Sequence, residues 1–237
     1  MGSESRTVRQ VDTGVGEPAV VLEAGLNNGA AAWERVIPLL APHVRVVAYD
    51  RAGIGGSPPA PNLVTIDRQI DDLTSLVIGL AAGPCVLVGH SWGGVLVQLL
   101  AFRRPDLVAG LVLVDPGHEA MESALPAPIR WGWRVVRTAF PDELHEDAPA
   151  TLAAIQELRA AATPFPDVPV IVMSAAHGFP RRFRANWTRL QAGLAAAAPQ
   201  GRHVVVNGTG HDIPGKRPDV VAETILAIAA QVRSRTG

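Results

Sequence analysis

The chain has 237 residues, is 48% hydrophobic and 18% charged, and carries a formal net charge of −1. That length fits one domain with a sizeable core, and the composition excludes a disordered chain. The near-zero charge gives no footing for nucleic acid or an anionic membrane as partner.

Cys85 is the only cysteine, so no intramolecular disulfide is available and no metal site can be built on it; in an apolar run it reads as a small hydrophobe. Lys216 is the only lysine, which reads as base-composition bias. Met1-Gly2-Ser3-Glu4-Ser5-Arg6 lacks the apolar core of a signal peptide, and Arg6 stands where myristoylation wants Ser or Thr. No apolar run is long enough to span a bilayer. A soluble cytoplasmic protein is the expectation.

In chain order, residues 7–11 read as a strand ended by Asp12-Thr13-Gly14. Residues 19–23 form the next strand and run into the turn-rich loop Ala24-Gly25-Leu26-Asn27-Asn28-Gly29. Residues 30–40 read as a helix that Pro38 should kink or shorten. Residues 44–49 are a strand, followed by Asp50-Arg51-Ala52-Gly53-Ile54-Gly55-Gly56-Ser57. Gly53-Ile54-Gly55 only faintly echoes a dinucleotide loop. No G-x-G-x-x-G opens a helix there, and Pro58-Pro59 follows, so nucleotide binding is rejected. Residues 65–80 form an amphipathic helix with Ile66, Ile70, Leu73, Val77 and Leu80 on one face.

Cys85-Val86-Leu87-Val88 is a short, apolar run of the kind a buried parallel strand needs. Gly89-His90-Ser91-Trp92-Gly93 follows, then an apolar helix through Phe102, stopped by Arg103, Arg104 and Pro105. A G-x-S-x-G turn between strand and helix is a nucleophile elbow. Its glycines leave room where strand and helix approach, and its strain points the serine hydroxyl away from the sheet.

Residues 110–115 form a strand that ends in Asp115. From Pro116 to about Asp167 no strand appears; helix-like stretches at 129–140 and 150–162 carry Trp131, Trp133 and Phe140. Residues 168–173 resume the sheet. Phe183, Trp187, Leu190 and Leu194 mark a helix, and residues 203–206 are the last strand. The loop Asn207-Gly208-Thr209-Gly210-His211-Asp212 follows it, and Pro218 opens a final helix with Val221, Ile225, Ile228 and Val232 on its buried face. Strands alternating with helices imply an α/β fold, a mostly parallel sheet with helices on both faces and the site at the carboxyl ends of the strands. Leu26, Ser91, Asp115 and His211 all fall at those ends.

The sequence resembles the α/β-hydrolase superfamily, in its serine-nucleophile, lid-containing esterase and lipase-like branch. The likeness runs from about Val8 to the last helix. It rests on Glu23-Ala24-Gly25-Leu26-Asn27, the Asp50-to-Ser57 motif, the elbow and Gly210-His211-Asp212. It implies an α/β-hydrolase core over 1–115 and 168–237. A helical lid over 116–167 follows the sixth strand of that fold, and the first of the family's two opening antiparallel strands is missing. It also implies an oxyanion hole made by the backbone N–H groups of Trp92 and Leu26, with Ala24-Gly25 in place of the usual His-Gly. Asn27, Trp131, Trp133 and Phe140 are the expected substrate-binding residues.

A serine hydroxyl needs a base, and histidine suits. The order of the triad in this fold is serine, acid, histidine, which selects Ser91 and His211, with His177 the runner-up base and His90 expected to pack. The family often places the acid after the strand at 168–173, but Ser174-Ala175-Ala176-His177-Gly178 has no carboxylate. The other position used in the family, the end of the preceding strand, holds Asp115; Glu119 and Asp212 are lesser candidates. The expected activity is hydrolysis of a carboxylic ester, or a related thioester, lactone or amide, through an acyl-enzyme. A serine rather than an aspartate nucleophile disfavours dehalogenase and epoxide-hydrolase chemistry. Acyl transfer or lyase chemistry at the same site, and a ligand-binding protein with a vestigial triad, are the alternatives. The resemblance implies no metal and no organic cofactor, a small-molecule acyl substrate as partner, and no particular oligomeric state.

Overall fold

The computed structural model describes residues 10–59, 65–118, 120, 165–178 and 181–236. Among the described residues seven strands form one sheet: β1 (Gln10–Thr13), β2 (Val20–Glu23), β3 (Val46–Tyr49), β4 (Cys85–His90), β5 (Val108–Val114), β6 (Pro169–Ala175) and β7 (Gln200–Val206). Their spatial order is β1-β3-β2-β4-β5-β6-β7. β1 runs antiparallel to β3, and all the other pairs are parallel. The helices are α1 (Ile37–Leu40), α2 (Ile66–Gly79), α3 (Trp92–Arg103), α4 (Arg181–Ala196), α5 (Ile213–Lys216) and α6 (Pro218–Thr236).

Covering both faces of the sheet explains why its inner strands are unbroken apolar runs. Every residue of β2, β3, β4 and β6 is buried. Successive side chains alternate between two cores. Val21, Leu87, Leu111, Leu113 and Val172 pack with α2, α3 and the end of α4. Val20, Leu22, Val86, Val88, Val112, Val114 and Met173 pack with Trp33, Leu40 and the inner face of α6. α3 lies so deep that its residues from Trp92 to Ala101 are all buried, which its all-round apolar sequence requires. α2 is amphipathic by contrast and is capped by Thr65, whose hydroxyl accepts the Arg68 N–H at 3.2 Å.

Several elements differ from the sequence expectation; β5 stops one residue short of Asp115, and β6 runs on through Ser174 and Ala175. Residues 30–40 form two pieces, a 3-10 turn (Ala30–Trp33) and α1; Pro38 sits in the first turn of α1, where its missing N–H has no partner to lose. Asp12 lies inside β1 rather than ending it, and its carboxylate binds Arg45 at 2.7 Å. β7 starts at Gln200, before the apolar run, because this outermost strand borders solvent on one side. Most of the range expected to be a lid, including Trp131, Trp133 and Phe140, lies outside the described residues. It follows β5, the fifth described strand. Phe165, near the end of that range, is buried against Phe102, with ring centroids 4.8 Å apart. No helix among the described residues is long and apolar enough to cross a membrane.

The connections fix where a site can form. After β2 the chain turns to one side to make β3, then returns to the other side of β2 to make β4. Loops leaving the carboxyl ends of β2 and β4 therefore diverge and open a crevice between them.

Candidate active site

Ser91 sits at that crevice, between β4 and α3, with φ 54° and ψ −115°. A non-glycine residue in this region carries strain of about 1–3 kcal/mol, held in place by its surroundings. The glycines around it make that possible. A Cβ on Gly89 would lie 2.5 Å from the Gly93 carbonyl oxygen, and one on Gly93 would lie 2.3 Å from the Glu23 oxygen. Strand, helix and the β2 loop thus meet with no room for a side chain. The Ser91 N–H donates to the Val114 carbonyl at 3.1 Å, and its carbonyl accepts the Gly117 N–H at 2.9 Å. The elbow is therefore stitched directly to the loop that carries Asp115.

Asp115 is fully buried and also has positive φ, 43°. Its N–H donates to the Met173 carbonyl at 2.8 Å. His211 Nδ1–H donates to Asp115 Oδ2 at 2.6 Å, and the His211 side chain is 48% exposed. With Nδ1 committed as donor, Nε2 carries the lone pair and is the nitrogen free to take a proton. The other carboxylate oxygen, Oδ1, accepts the Trp187 indole N–H at 2.8 Å and the Ala175 N–H at 3.3 Å.

The remaining candidates are placed as follows. Leu26 is half-buried and Asn27 exposed, in the β2 loop. A Cβ on Gly25 of that loop would stand 3.3 Å from the Ser91 Cβ, so the loop's backbone borders the serine. Trp92 is the first residue of α3, where the helix offers its N–H no carbonyl; its indole donates to Gln69 Oε1 at 3.1 Å. Asp212 caps α5 by accepting the Gly215 N–H at 3.1 Å. His177 is exposed, and its backbone N–H donates to the Thr209 carbonyl at 3.1 Å, bracing the His211 loop. Glu119 lies outside the described residues. Among the described residues no cluster of His, Cys, Asp and Glu has the makings of a metal site.

This is an elbow on a doubly wound sheet, with a carboxylate and an imidazole joined beside it. A family profile described as the alpha/beta hydrolase fold matches residues 18–152. The chain belongs to the α/β-hydrolase family. The uncharacterized protein YqjL of Bacillus subtilis is 26% identical over 205 residues, covering 85% of this chain and 79% of that protein. Lipase LipV of Mycobacterium tuberculosis is 41% identical over 120 residues, 47% of this chain and 45% of the lipase. Among solved structures, a thermophilic esterase from Thermogutta terrifontis aligns with a TM-score of 0.68 at 24% identity, covering 95% of this chain and 93% of the esterase.

Three contributors to the site of this α/β-hydrolase escape a reading of the sequence. His90 does pack, but it also works: its Nε2–H donates to the His211 carbonyl at 2.9 Å, tying the elbow to the histidine loop. Burial, and then the nearby His211, push its pKa down to about 4, so its ring is neutral at pH 7. Arg51 reaches under the β2 loop and donates to the carbonyls of Ala24 at 2.8 Å and Gly25 at 2.6 Å. It is anchored on the buried Glu23 carboxylate, which also accepts the Tyr49 hydroxyl. The third is Trp187. The only advance signal was the Asp50-Arg51 motif itself; nothing local marks His90 or Trp187.

Proposed function

We propose that this α/β-hydrolase cleaves a carboxylic ester, or a related acyl substrate, through a Ser91–His211–Asp115 triad and an acyl-enzyme. The observation that carries this reading is the 2.6 Å bond from His211 Nδ1 to a fully buried Asp115, on a loop stitched to the strained Ser91. The 41% identity to the lipase named above favours the ester.

In the proposed cycle Nε2 of His211 takes the Ser91 proton as Oγ attacks the acyl carbon. The backbone N–H groups of Trp92 and Leu26 receive the oxyanion; such a donor is typically worth about 2.7–4 kcal/mol of barrier. The positive end of the α3 dipole adds to the same field. His211 then gives its proton to the leaving alcohol, and a water deprotonated by His211 releases the acid. Asp115 keeps the imidazole in the tautomer that leaves Nε2 unprotonated and offsets the charge it gains.

The test is hydrolysis of p-nitrophenyl esters of graded acyl length by wild type and Ser91→Ala. The wild type should turn over, and the variant, still folded by circular dichroism, should lose at least about a thousandfold in kcat. Equal turnover by both would rule out Ser91 as nucleophile.

A further inference from the structure

Asp115 is fully buried, so the protein itself must stabilise its charge and set its orientation. Its two oxygens are used differently. Among the described residues Oδ2 meets His211, whereas Oδ1 is filled by the Trp187 indole N–H at 2.8 Å and, more weakly, the Ala175 N–H at 3.3 Å. A carboxylate rotates readily about χ2. A donor locked onto one oxygen decides which way the other points.

Trp187 is itself locked. It is 4% exposed and stacks on Phe183, one turn earlier in α4, with ring centroids 5.9 Å apart and planes 22° off parallel. One turn later, Gln191 Nε2 donates to the Pro116 carbonyl at 2.9 Å. A single stripe of α4 thus holds both the carboxylate of Asp115 and the backbone just after it.

We propose that Trp187 is a positioning residue for the acid: its indole N–H fixes the rotation of the Asp115 carboxylate so that Oδ2 meets His211 Nδ1. This deepens the triad reading above and rests on it. Trp187 touches neither substrate nor reacting atoms; it acts through Asp115.

The experiment compares wild type, Trp187→Phe, Asp115→Asn and the double variant, with two readouts. The first needs no substrate. A short imidazole-to-carboxylate bond gives a downfield proton resonance, identified as His211 Nδ1–H by its loss in Asp115→Asn. Trp187→Phe should move it upfield or broaden it away. In Asp115→Asn, with Trp187 intact, one indole N–H cross-peak should also move, and this measurement holds even if Trp187→Phe folds poorly. The second readout is ester hydrolysis. Trp187→Phe should lower kcat about tenfold, the worth of one hydrogen bond to a charged group, with KM within about twofold. In the Asp115→Asn background it should lower kcat little further. An unmoved downfield resonance in folded Trp187→Phe, indole cross-peaks that all hold still in Asp115→Asn, or equal losses of kcat in both backgrounds would each overturn the proposal. Absence of Ser91-dependent turnover in the wild type would instead overturn the triad reading, and the resonances would still decide whether Trp187 orients Asp115.

Discussion

Ser91 and Asp115 both hold positive φ without being glycine, at 54° and 43°. Such strain persists only where neighbours over-determine the backbone, and here the neighbours belong to each other's loops. His90 adds the third tie, to the carbonyl of His211. Its burial also leaves a mark on stability. Its pKa is about 4 in the fold against 6.5 in the free side chain. Between those values the unfolded chain holds the proton and the folded chain does not, so stability rises with pH across that window. The contribution is complete above pH 6.5 and is lost as pH falls toward 4. It is worth on the order of 3 kcal/mol. Replacing His90 by Gln, which does not titrate and keeps an N–H within reach of the His211 carbonyl, should flatten the pH dependence by that amount in urea unfolding measured at pH 7 and pH 4. An equally steep loss in His90→Gln would assign the effect to other groups. His90→Phe keeps the ring but drops the donor, and should fall below His90→Gln in kcat.

The β2 loop is organised at the level of elements. Arg51, just after β3, holds the carbonyls of Ala24 and Gly25, so these carbonyls of the loop turn toward the guanidinium. The anchor is a buried ion pair with Glu23 on β2, the two side chains 5% and 1% exposed. Breaking such a pair from one side costs about 3–5 kcal/mol, because a charge is left buried without its partner. Arg51→Met should lower the melting temperature sharply and reduce kcat. The double variant Glu23→Gln with Arg51→Met should recover much of the stability but not the rate, since the carbonyl anchors remain missing. Full recovery of both would mean that the loop holds its shape without Arg51.

Across the whole molecule, the sheet was legible in the sequence wherever both of its faces are buried: the apolar runs of β2 through β6 are short and valine-rich, which sets them apart from the longer apolar run of α3. The boundaries that shifted are where polar residues enter the sheet, at Asp12 in β1 and Gln200 in β7, and where Pro38 divides one expected helix into two short pieces. The site was legible in part for a related reason. Chain order places Ser91, Asp115 and His211 at the carboxyl ends of strands, so topology brings all three to one end of the sheet, where Asp115 and His211 meet. The residues that orient them do not announce themselves, because they act across long separations: Trp187 meets Asp115 from 72 positions away and His90 meets His211 from 121. If Ser91 Oγ is the nucleophile that takes up the acyl group, a serine-directed phosphonate must mark it. The most direct test treats wild type and His211→Ala with a p-nitrophenyl phosphonate, whose serine adduct water releases only slowly, and reads intact mass followed by peptide mapping. The expected result is one stoichiometric adduct, on the peptide carrying Ser91, formed at once by wild type and far more slowly by His211→Ala. An adduct on another residue, or none on Ser91 in protein that hydrolyses esters, would mean that Ser91 is not the nucleophile.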